Sequence, residues 1–63
     1  MKIDNEYIGK RVYIRLRVGG SYTGVIQSAG STLSLLLDDK RQVMIQSSMI
    51  ASMQILGDVK NDI

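Results

Sequence analysis

The chain contains no cysteine, histidine, proline, tryptophan or phenylalanine, and each absence removes a class of function. Without cysteine there is no disulfide framework, no thiolate nucleophile and no thiolate-held zinc or iron–sulfur centre. Without histidine, the usual general base and the commonest transition-metal ligand are both missing. Ser–His–Asp and Cys–His catalysis therefore cannot be assembled from these residues. No glycine-rich phosphate motif occurs, and Asp38-Asp39 is too short a run for a calcium loop. The expectation is a protein that is not an enzyme and needs no cofactor. No apolar run exceeds three residues, which leaves no signal-peptide core and no transmembrane helix to expect. A soluble cytoplasmic protein is the expected setting.

What is present suits a small folded domain. Of the 63 residues, 44% are hydrophobic and 22% charged, a globular balance rather than the polar bias of disorder. Size is the weakness, because cores below ~70 residues seldom supply more than ~3–5 kcal/mol. Disulfides are excluded and only carboxylates remain for a metal, so self-association is the remedy left. A net charge of +2 and a pI near 9.2 suit a polyanionic partner without requiring one.

Hydrophobic spacing predicts the elements. Residues 1–10 read as a short helical turn, capped by Asp4, with Ile3, Tyr7 and Ile8 on one face and Gly9 as the stop. From Arg11 to Val18 the even positions are all aliphatic, while the odd ones are three arginines and Tyr13. That alternation predicts a half-buried strand, ended by the hairpin pair Gly19-Gly20. Further strands are expected over Ser21–Ser28, Thr32–Leu37, Gln42–Gln46 and Met49–Ile55. Gly24, in the middle of the second, implies a bend or a close backbone approach. The expected fold is all-β: a small, strongly bent five-stranded antiparallel barrel occupying residues 1–56, followed by a mobile tail over 57–63. Such a barrel exposes edge strands, which pairing with a neighbouring copy would satisfy.

From Ile8 to Ile55 the sequence resembles the Sm-like family, including its Hfq branch. The resemblance rests on Val12-x-Ile14-x-Leu16, Leu16-Arg17-x-Gly19, Tyr22-x-Gly24-x-Ile26, Ala29-Gly30 and Leu33-Ser34-Leu35-x-Leu37. It continues through Ile45-Gln46-Ser47-Ser48-Met49-Ile50 at the place of the second motif. The resemblance implies a homo-oligomeric ring, usually hexameric or heptameric, in which the fourth strand of one subunit pairs with the fifth of the next. It also implies single-stranded RNA as the partner. An SH3-like interaction module, or a diverged ring without RNA binding, is the alternative.

The polar signature departs from the family. Gly30 stands where the family has Asp, Ser34 where it has a base-reading Asn, and Thr32 where a side chain stacks on a base. Gln46-Ser47 replaces Arg-Gly, and Ser47-Ser48 replaces the Hfq-type Lys-His. The candidate RNA-contacting residues are therefore Thr32, Ser34 and Gln46, which keep hydrogen-bonding capacity, together with Arg15 and Arg17 on the basic face of the first strand. None of them offers an aromatic face, and base stacking supplies ~1–3 kcal/mol per base in single-strand binders. Weak binding with altered base preference is the expectation. Met44, Met49 and Met53 are expected to fill the core or a subunit interface.

Overall fold

The computed structural model describes residues 3–58, which form one antiparallel sheet preceded by a single turn of 3-10 helix at Asn5–Tyr7. The strands are β1 (Lys10–Leu16), β2 (Ser21–Ser28), β3 (Thr32–Leu37), β4 (Gln42–Gln46) and β5 (Ile50–Asp58). A second 3-10 turn, Ser47–Met49, links β4 to β5. Strand order is β4-β3-β2-β1-β5. The sheet is open, with β4 and β5 as its edges.

Alternation explains the core. Val12 and Ile14 of β1 share a face with Ile26 of β2, Leu33, Leu35 and Leu37 of β3, Ile45 of β4 and Ile50 at the start of β5. Leu16, Tyr22, Val43 and Met53 pack partly buried against them. The intervening residues face outward in cross-strand rows: Tyr13 with Thr23 and Gln54, Arg15 with Ser21 and Ser52, and Ser34 with Met44. A curved sheet with one apolar face needs its strands drawn together somewhere, and Gly24 supplies the place. A Cβ on Gly24 would overlap the Leu36 carbonyl. The close approach expected from a mid-strand glycine is thus made with β3.

Four sequence expectations change. The helical face of Ile3, Tyr7 and Ile8 does not form: the helical turn spans only Asn5–Tyr7, and the Asp4 side chain makes no capping bond. Ile3 instead runs extended, bridges Gly30 and is fully buried, because the core gains more from a branched aliphatic than the surface turn does. The first strand stops at Leu16, where Gly19 N–H bonds the Leu16 carbonyl, so Val18 sits on the hairpin turn at 75% exposure. Both Gly19 and Gly20 adopt the positive φ that this turn requires. Met49 belongs to the 3-10 turn, and β5 starts at Ile50. At the other end β5 continues through Asp58, past the boundary drawn at residue 56. The remainder of the expected tail, 59–63, lies outside the described residues.

Three register irregularities bend the sheet. Ile26 pairs with Leu35 and Ser28 with Ser34, which leaves Gln27 as an extra residue in β2. On β5, Ala51 and Leu56 are the residues skipped in pairing with β1. Such bulges increase local twist and re-aim side chains.

Replacing Gly24 with Ala is expected to destabilise the protein by about 1–3 kcal/mol, the usual cost of overpacking. Gly57→Ala is the control, since nothing lies within contact distance of a Cβ there. Urea unfolding of the two variants measures the difference.

Candidate functional site

The β2–β3 connection and the 3-10 turn after β4 meet at one end of the sheet, tied by their backbones. Gly30 takes a φ of +118°, which turns its N–H to the Ile3 carbonyl at 3.0 Å. Its own carbonyl accepts the Ser47 hydroxyl at 2.6 Å, while Ser47 N–H donates to the Ser31 carbonyl at 2.9 Å. Ser47 is consequently buried, its small hydroxyl satisfying the Gly30 carbonyl while its backbone N–H satisfies that of Ser31.

Arg17 braces the same turn from the other side. Its guanidinium Nε–H donates to the Ser48 carbonyl at 3.0 Å, and its backbone N–H donates to the Met49 carbonyl at 2.9 Å. The curvature of the sheet thereby carries the end of β1 back to the loops. Arg17 is therefore a positioning residue for the turn, and it remains exposed. Arg15 is exposed in register between Ser21 and Ser52, apart from this cluster.

The remaining candidates divide in two. Thr32 and Gln46 are register partners at the adjoining ends of β3 and β4, both exposed. They form the polar rim of the loop cluster. Ser34 lies one outward position further along β3, opposite Met44, but is only 3% exposed. Its hydroxyl accepts from Gln42 Nε2 at 2.6 Å and stands 3.5 Å from Gln27 Oε1, to which it donates. Neither glutamine was singled out by the sequence. Gln27 faces Ser34 because the Ile26–Leu35 register brings the two outward positions together, a pairing between strands that spacing within β2 does not announce, and Gln42 reads in sequence as the polar start of a strand.

Charge is distributed unevenly. Arg11 is paired with Asp38 at 2.6 Å and Arg41 with Asp39 at 2.7 Å. Arg15 and Arg17 have no carboxylate partner among the described residues. The arginine strip of β1 is therefore split, with Arg11 neutralised locally and the other two available to an anion. At the β3–β4 turn the Arg41 backbone N–H, and then its guanidinium, hold the Asp39 carboxyl below its ordinary range. The lowered value means that this contribution to stability is present above the ordinary carboxylate pKa and is lost as pH falls through the folded one. Full exposure keeps it small.

The arrangement presents hydrogen-bonding side chains on its rim and two guanidinium groups without carboxylate partners among the described residues. No cluster of acidic side chains able to hold a metal occurs among the described residues. Ser47→Ala is expected to leave the Gly30 carbonyl without its partner, against a buried position, and to cost about 1–3 kcal/mol. Ser48→Ala, on the exposed neighbour, should stay within about 0.5 kcal/mol of the parent. Denaturant titration of both variants checks the assignment.

In comparisons with protein-family models, with curated proteins and with solved structures, nothing matches this chain.

Proposed function

We propose that this protein is a soluble cytoplasmic Sm-like ring protein without enzymatic activity, which binds single-stranded RNA weakly and without a uridine preference. The observation that carries the reading is the strand order β4-β3-β2-β1-β5, with the two edge strands at opposite limits of an open sheet. Each edge also displays apolar surface: Met44 is 64% exposed on β4, and Ile55 and Leu56 are 46% and 45% exposed on β5. Pairing β4 of one copy with β5 of the next satisfies both edges and completes the barrel across the interface. Repeated head to tail and closed into a hexamer or heptamer, that contact leaves no edge for further growth.

The RNA reading is supported by the two arginines that lack carboxylate partners among the described residues and, separately, by the Thr32–Gln46 rim of the loop cluster. Its strength is limited by what the rim lacks. Thr32 provides no stacking face, and Ser34 is buried beneath two glutamines rather than presented to a ligand. That burial favours a second reading, an interaction module of SH3-like or diverged Sm-like type that engages protein and not RNA. Salt separates the two. Phosphate contacts weaken steeply as salt rises, whereas a mainly apolar protein interface does not.

Light scattering should report a hexamer or heptamer of the 7.0 kDa chain, and Met44→Lys should shift it to lower mass by charging the β4 edge. A folded wild-type monomer at micromolar concentration would overturn the assembly. For RNA, Arg15→Gln is expected to weaken binding of every sequence alike and to reduce the salt slope by about one per site. Anisotropy titrations at several salt concentrations provide the measurement.

A further inference from the structure

The buried hydroxyl of Ser34 has an unusual position for a residue on the outward face of a sheet. It is 3% exposed, yet the side chains covering it belong to exposed residues, Gln27 and Gln42. Both amides converge on one oxygen atom. Gln42 donates Nε2–H to it, and Gln27 accepts from it through Oε1. Each amide thereby spends one kind of atom inward and keeps the opposite kind outward. Gln27 retains the two N–H donors of Nε2, and Gln42 retains the acceptor Oε1. Met44, register partner of Ser34 and 64% exposed, lies alongside as an apolar surface.

A free surface glutamine samples many rotamers and has no preferred edge to present. Here Gln42 is held by a short bond and Gln27 by a long contact of 3.5 Å, and the two come from different elements. Gln42 begins β4, whereas Gln27 lies in the β2 bulge. Bulges are over-represented where a strand must re-aim a side chain. Continuing the Ile26–Leu35 register puts Gln27 opposite Ser34, and the bulge adds Ser28 at the same level.

We propose that Gln27 and Gln42, held by Ser34, form a paired-amide site that binds the hydrogen-bonding edge of a nucleobase. This inference rests on the single-stranded RNA reading and identifies which groups contact the base. Gln27 Nε2 donates to a base acceptor while Gln42 Oε1 accepts from a neighbouring base donor. Adenine offers that combination at N1 and the N6 amino group, and uracil at O4 and N3–H, so the site serves both. Binding is consequently dependent on bases but not selective between these two. The capacity absent from Ser34 as a direct reader is supplied by the amides that it orients.

The test uses the full chain and three labelled oligomers of equal length: oligoadenylate, oligouridylate and an abasic sugar-phosphate strand. Wild-type protein should bind the two base-bearing strands equally, and about tenfold more tightly than the abasic strand, the scale of one good paired hydrogen-bond contact. The double variant Gln27→Leu/Gln42→Leu should bind all three like the abasic strand, with an unchanged salt slope. Ser34→Ala keeps both amides but releases them, and should lose part of the base dependence. Circular dichroism confirms that each variant is folded. Should the double variant fail to fold, Gln42→Leu alone, at the exposed end of β4, carries the same comparison. Equal wild-type affinity for abasic and base-bearing strands overturns the amide site while leaving phosphate-mediated RNA binding intact. So does base dependence that survives the substitutions, or strong selectivity for one of the two bases. No binding to any strand overturns both this site and the RNA reading.

Discussion

The missing side chain at Gly24 sets the shape of everything around it. Where the Leu36 carbonyl passes, a methyl group would not fit, so β2 and β3 are closer there than two side-chain-bearing strands could be. That pinch lets a five-stranded sheet curve over its own apolar face instead of lying flat. Val12, Ile14, Ile26, Leu35 and Leu37 can then bury one another without a second layer of structure. The same curvature carries Arg17 from the end of β1 to the turn after β4. A core made by folding one sheet on itself, and a loop cluster assembled from distant strand ends, follow from one geometric allowance.

The loop cluster shows how a chain with few polar resources distributes them. Ser47 covers Gly30, Ile3 occupies the Gly30 amide, and Arg17 covers Ser48. Every one of these bonds ends on a backbone group. The loops are tied together through their main chain, and the Thr32 and Gln46 side chains on the rim take no part in these bonds. Thr32 and Gln46 are exposed for that reason. Ser34, by contrast, is committed to side chains, and its two glutamines remain half-free.

Strand positions were legible because alternation is a local signal. Val12, Ile14 and Leu16 against Arg11, Tyr13 and Arg15 can point only two ways. Leu33, Leu35 and Leu37 repeat the same statement. The errors arose where a residue's fate depends on partners far away in sequence. Ile3 reads as part of a helical face until Gly30 is brought to it, and Val18 continues an aliphatic series that the turn at Leu16 has already ended. In the candidate site, Thr32 and Gln46 could be named from spacing. The roles of Gln27 and Gln42 could not, because their shared hold on the Ser34 hydroxyl is set by how β2 and β4 flank β3 and not by any spacing within one strand. Arg17 was legible as a charge and not as a brace, since nothing local links it to Ser48.

The two irregularities in β5 divide that strand into unequal lengths. Between the skipped residues Ala51 and Leu56, the register with β1 runs unbroken only from Ser52 to Ile55. On either side the backbone is displaced from the regular spacing that a further strand would need. A long β edge is a template for indiscriminate addition, and a short one admits only a matching segment. The usable stretch of β5 is close in length to β4 itself, Gln42–Gln46. The bulges thus act as end-stops: they restrict what can align along the edge to a piece of chain no longer than the protein's own shortest strand, and they deny longer segments of other proteins a continuous track.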